Sequence, residues 1–184
     1  VVNCADNKIL WRHANGAISL WAVNSSGNKV SYKEYGPLVG WTVVNYANNK
    51  ILWRHANGAI SLWTVDNAGN KISYKEYGPL GGWTAVNYAD NKILWRHANG
   101  AISLWTLDNA GNKVSYKEYG PLGGWTAVNY SDNKLMWRHA NGAISLWTLD
   151  NNGNKISYKE HGPLTGWTVV NYSDGRILWR KGND

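Results

Sequence analysis

The sequence predicts an all-β fold, a β-propeller of four-stranded antiparallel blades, and three observations carry that reading. The phrase GWT ends at Thr42, Thr84, Thr126 and Thr168, so the 184-residue chain repeats with a period of 42. A fixed period of that length marks a repeat architecture. Each module holds four short strand-like runs parted by turn signals. No stretch sustains a 3.6-residue apolar period, so helices should be nearly absent.

The modules are 1–42, 43–84, 85–126 and 127–168, followed by a partial one, 169–184, and the whole is read as a single repeat domain. In the second module the predicted strands are Thr42–Tyr46, Lys50–His55, Ala59–Asp66 and Lys71–Tyr77. The breaks ANN, ANG and NAGN are short enough for an antiparallel meander, with Asn-Gly and Gly69 supplying the positive φ of tight turns. GPLGGW is longer, holds Pro79, and is the natural crossing from one sheet to the next. ILW and ISLW are apolar on both faces, as expected of a small sheet sandwiched between neighbours. KISYKEY mixes charge with tyrosine and suits an outer edge that resists stray pairing.

Tandem four-stranded meanders of this length are the sequence form of propeller blades. Four modules and the tail runs TVVNY and RILWR make eighteen strands, or four and a half blades. The half blade then either takes a fifth position in a small ring or is completed by another chain. A β-solenoid or a β-prism-like array is the alternative architecture.

Composition narrows the function classes. Thirteen Trp and eleven Tyr stand beside no Phe, and aromatics with a polar tip suit half-wet positions. No apolar run approaches the ~20 residues of a membrane helix, so no membrane insertion is expected. No signal peptide is visible, and an opening without Met inside a repeated phrase is read as processing or trimming. Localisation is expected to be secreted or cell-surface, with the cytoplasm left open. Cys4 stands where later copies carry Tyr46, Tyr88, Tyr130 and Tyr172; alone, it forms no internal disulfide and no Cys-based metal site. The net charge of +7 is spread over all modules. A dispersed surplus means a solvated surface rather than a nucleic-acid stripe, so nucleic acid is disfavoured as a partner.

Several side chains recur once per module. Arg12, Arg54, Arg96, Arg138 and Arg180 each follow a strand Trp, and His13, His55, His97 and His139 come next, with Lys181 in the last place. A histidine beside arginine could serve as a general base. A catalytic site is one constellation, however, whereas these groups recur around the array, so no enzyme is expected. The histidines lack Cys partners, and no metal or other cofactor is expected. DNAGN lacks the alternating oxygen ligands and closing Glu of a calcium loop and reads as a hairpin turn. Glu34, Glu76, Glu118 and Glu160 are either solvated edge charges or acceptors for ligand hydroxyls. Trp41, Trp83, Trp125 and Trp167 lie at the crossings, where they either pack between blades or offer a flat wall to a sugar. Arginine and glutamate nearby would then bind its hydroxyls by charge-assisted hydrogen bonds.

Modules carrying ILWR, NG, ISLW and GWT in this order resemble the bacterial and invertebrate propeller lectins, including tectonin-like and tachylectin-like proteins. The Trp-Asp signature of WD40 repeats is absent, because Thr64 and Val65 follow Trp63. Fucose-binding propeller lectins use an Arg, a Glu and a Trp between blades. By residue type the resemblance implies Arg54, Glu76 and Trp83 and their equivalents for that role. The expected function is therefore multivalent glycan binding. The alternatives are a self-assembling repeat module, a homo-oligomer formed through the terminal half repeat by strand exchange, and an acidic-polysaccharide binder.

Overall fold

The computed structural model describes residues 1–182. It shows four four-stranded antiparallel sheets and one two-stranded sheet, with no helix among the described residues. The first blade is β1 (Asn3–Ala5), β2 (Lys8–Arg12), β3 (Ile18–Val23) and β4 (Lys29–Tyr35). The second is β5 (Trp41–Ala47), β6 (Lys50–His55), β7 (Ile60–Val65) and β8 (Lys71–Tyr77). The third is β9 (Trp83–Ala89), β10 (Lys92–His97), β11 (Ile102–Leu107) and β12 (Lys113–Tyr119). The fourth is β13 (Trp125–Ser131), β14 (Lys134–His139), β15 (Ile144–Leu149) and β16 (Lys155–His161). A half-blade, β17 (Trp167–Ser173) and β18 (Arg176–Lys181), closes the array. The eighteen strands, their meander order and the KISYKEY-type outer edge are those expected from the sequence.

Two local features differ from that expectation. Trp41 and its equivalents begin the inner strand instead of lying on the crossing. Gly40 takes φ +79°, the Trp41 N–H reaches the Leu38 carbonyl, and Trp41 pairs with His55 across the ladder. The turn with two successive positive φ values is Asn48–Asn49, not Asn-Gly. In the ANG link only Gly58 is left-handed, and Asn57 Oδ1 accepts the Ala59 N–H at 2.9 Å.

Strand alternation gives each sheet a leading face toward the blade before it and a trailing face toward the blade after it. Leu10, Ile18 and Leu20 on the first trailing face pack on Val43, Tyr46, Ile51, Trp53, Trp63 and Val65 of the second leading face. The same set recurs between blades two and three and between three and four. The fourth interface is smaller, with Met136 and Ile144 meeting Val169 and Tyr172. A bulge in each inner strand from β5 onward breaks the alternation, and in β5 it turns both Val44 and Asn45 toward the next blade.

Polar side chains lock the same interfaces at three heights. Near the axis Asn3, Asn45, Asn87 and Asn129 donate to the carbonyls of Tyr46, Tyr88, Tyr130 and Tyr172. At the inner turns the side chains of Asp6, Asn48, Asp90 and Asp132 accept the backbone N–H of Asn48, Asp90, Asp132 and Asp174. On the outer strands Tyr35, Tyr77 and Tyr119 donate to Gly69, Gly111 and Gly153 carbonyls at 2.6–2.7 Å. All five inner strands line one axial cavity of about 270 Å³.

Candidate ligand-binding recesses between the blades

The two faces separate the side chains singled out in the sequence. Strand alternation puts Arg54 on the trailing face and places His55, Trp53, Ser61, Trp63 and Glu76 on the leading face. Arg54, Glu76 and Trp83 therefore do not form one group. Trp83 belongs to the third sheet, and the glutamate of that sheet is Glu118.

The arginines lie toward the axis. Arg96 Nη1 donates to the Ala127 carbonyl of the next blade at 3.4 Å, and Arg54 and Arg96 share a recess of about 310 Å³ with Thr84 and Val86. Arg138 and Trp167 do come together, with Thr126 and His139, around a cavity of about 270 Å³. Arg180 sits exposed on β18. On the first blade, whose leading face meets no other blade among the described residues, His13 and Glu34 line one open recess of about 530 Å³ with Trp11 and Trp21, and Arg12 of the opposite face reaches its rim.

The histidines are wedged into the crossings. His55, His97 and His139 each accept the N–H of the second residue onward through Nδ1 at 3.2 Å, which leaves Nε2 as the protonated nitrogen of the neutral ring. Their rings lie 4.9–5.0 Å from those of Trp41, Trp83 and Trp125. A Cβ on Gly82 would stand 2.5 Å from His97 Nε2. This geometry fastens the crossing to the second hairpin and leaves little room for a reacting group beside the imidazole.

The glutamates border a different recess. Between the Leu122 crossing and the fourth leading face, Trp125, Trp137, Ser145, Trp147, Lys155, Tyr158 and Glu160 enclose about 220 Å³. Trp137 pairs with Ser145 across the ladder, and Ser145 pairs with Glu160. The indole Nε1 of Trp137 and the hydroxyl of Ser145 are buried without a hydrogen-bond partner. Trp53 with Ser61 and Trp95 with Ser103 repeat the arrangement. In the first blade Ser19 Oγ instead accepts from Trp21 Nε1 at 2.9 Å. Lys155 Nζ stands 4.0 Å over the Trp147 ring and 4.2 Å over Tyr158. The lysine is thereby held as a flank by cation–π attraction, which is substantial at such a distance. A small polyhydroxylated ring lying on this aromatic wall would meet the exposed Glu160 carboxylate at the rim, and would reach the indole N–H and the serine hydroxyl, which have no free surface here, on a shift of the side chains that cover them.

Serine was the signal that the sequence reading passed over: in ISLW it interrupts a core strand on the face that carries the tryptophans. Elsewhere the titration shifts follow packing. Burial pushes the Tyr46 phenol up to about 12. Burial also lowers the Lys50 ammonium, whose Nζ reaches Thr64 Oγ1 and the Asn109 carbonyl at 3.0 Å. The Asn70 side-chain amide, followed by its backbone N–H, holds Asp66 below the usual carboxylate value. Among the described residues no group of three or more His, Cys, Asp or Glu gathers in a way that could hold a metal ion, and no helix is long and apolar enough to cross a membrane.

No family model and no curated protein matches the sequence. Solved structures match in shape. Human WBSCR16 is similar with a TM-score of 0.57 at 10% identity, over 92% of this chain and 54% of its own. Prp20p from Saccharomyces cerevisiae, a structure described together with its binding properties to Gsp1p and histones, gives 0.57 at 12%, over 94% and 52%. The Cps50 (Swd1) beta-propeller domain of Myceliophteria thermophila gives 0.51 at 9%, over 97% and 64%. The chain thus spans about half the length of the first two. At these identities the likeness shows the fold, a β-propeller with repeats, and nothing finer.

Proposed function

We propose that the chain is a multivalent binding protein whose repeated inter-blade recesses hold glycans, without catalysing a reaction on them. The observation that carries this reading is the unpartnered indole N–H and serine hydroxyl in each of blades two to four. A buried polar group without a partner costs about 1–3 kcal/mol, and native proteins leave few of them. A chain shaped only for folding would place Ala where Ser61, Ser103 and Ser145 stand. Directed polar groups among aromatic walls are the general recipe of a small-ligand site. The cavity of about 220 Å³ falls below the range usual for drug-sized ligands, which suits a single sugar ring. Several weak sites on a rigid frame bind a repetitive surface by avidity, and that role fits a secreted or cell-surface protein.

The test combines a glycan array with the triple variant Ser61→Ala, Ser103→Ala and Ser145→Ala. Removing unpaired hydroxyls should leave thermal stability equal or higher while binding falls by about tenfold or more per site. Silence of the folded wild-type chain across a broad array rejects the reading.

A second reading rests on the fold neighbours and on the charge. Yeast RCC1 (Prp20) has been solved bound to Kap60, and by that analogy the second reading takes the repeat frame here as a protein-interaction scaffold. With +7 in all, binding to an acidic protein or polysaccharide would weaken steeply with salt, whereas stacking of a neutral sugar would respond little.

A further inference from the structure

We infer that a second copy of this chain docks head-to-tail on the first, the half-blade's trailing face of one copy against the first blade's leading face of the other. Independently of any glycan reading, each internal interface joins one trailing face to one leading face through the same residues. The two ends of the array are the unpaired halves of that joint. Leu178 is 60% exposed, whereas its counterparts Leu52 and Leu94 are fully buried, and Val170 beside it is 44% exposed. On the other end Ile9, Trp11 and Trp21 are half-buried, whereas Ile51, Trp53 and Trp63 are buried.

The polar ladders continue across the same joint. Asn171 holds the position from which Asn45 and Asn87 donate to the next inner strand, and its partner there would be the Cys4 carbonyl. Asp174 holds the position from which Asp90 and Asp132 accept the next inner-turn N–H, which would be that of Asp6. The outer latch ends in step: where Tyr35, Tyr77 and Tyr119 reach the following blade, the fourth blade carries His161, exposed. The docked surface is therefore the inner half of a blade interface, apolar at its centre and hydrogen-bonded near the axis. Such a joint is heterologous, so it closes only if its rotation permits and otherwise grows into a chain.

The experiment is analytical ultracentrifugation of the wild-type chain over a wide concentration range, beside Leu178→Asp and Ile9→Asp. The wild type should self-associate, and each variant alone should weaken association by about thirtyfold or more. An equimolar mixture of the two variants should recover a single one-to-one pair, because each still offers one intact face. Cys4→Asp, at an exposed position of the same leading face, replaces Ile9→Asp if circular dichroism shows the latter unfolded. A wild type that stays monomeric throughout overturns the inference. So does association that survives both variants, or a mixture of folded variants that fails to pair.

Discussion

The interface between blades two and three and the free faces at the two ends are built from the same repeated phrase, yet they hold their residues very differently. In the interior, Trp95 is fully buried and Leu52 packs against its blade. At the ends Trp11 is half-buried and Leu178 stands 60% exposed. The sequence motif therefore supplies a self-complementary surface, and its energetic value depends on the neighbour. Stability in such arrays is a sum of unit terms and nearest-neighbour terms.

The largest expected difference comes from Trp95→Ala against Trp11→Ala. The buried substitution should cost about 3–5 kcal/mol. The end substitution should cost less, on the order of 2 kcal/mol, because part of that indole already meets water. Urea unfolding followed by far-ultraviolet dichroism reads both, and equal losses would break the distinction between interior and end.

Glycine at the crossing sharpens it further. Gly82→Ala meets His97 and also forces a non-glycine residue to φ +77°, whereas Gly166 at φ +79° has nothing within 4 Å of its would-be Cβ. The first substitution should lower stability by about 3 kcal/mol and the second by about 1 kcal/mol. Thermal melts of the two proteins side by side give the comparison. Matching shifts would mean that the histidine wedge contributes nothing.

The smallest effect is in alkali. Tyr46 titrates at about 12 instead of its ordinary 10.0, and Tyr88 and Tyr130 are raised in the same sense, all chiefly by burial. A folded pKa above the unfolded one means that the unfolded chain releases its proton first. The contribution is intact below pH 10.0 and is lost as pH rises through about 12 for Tyr46. Phenolate absorbance should then lag for these rings until unfolding begins. An ordinary, reversible titration of every tyrosine in the folded protein would contradict the packing described.

The fold was readable because period, turn chemistry and two-sided apolar runs all point to the same meander. Boundaries fell within a residue or so of the strands, as for Lys50–His55 and Lys71–Tyr77. What a linear reading could not supply was which sheet face meets which neighbour. Arg54 and Glu76 look like partners in one module, but alternation sends them to opposite faces, and the sheet of Trp83 carries Glu118. The Asn45 and Asp90 ladders were invisible for a related reason. Their side chains read as turn formers, while their partners lie 42 or 43 residues away in the next blade. Ser61 was legible in principle, as a hydroxyl placed on a core face, but its meaning depends on the buried indole opposite it.

The most direct test of the binding account is a crystal of the chain soaked with a mixture of common monosaccharides. The account predicts a sugar ring in the recess formed by Trp125, Trp137, Ser145, Trp147 and Glu160, and in its repeats around Ser61 and Ser103. The ring should accept from the indole N–H and donate to the carboxylate. Sugar density only in the arginine recess beside Trp167, or none in any recess of a well-diffracting crystal, would contradict it.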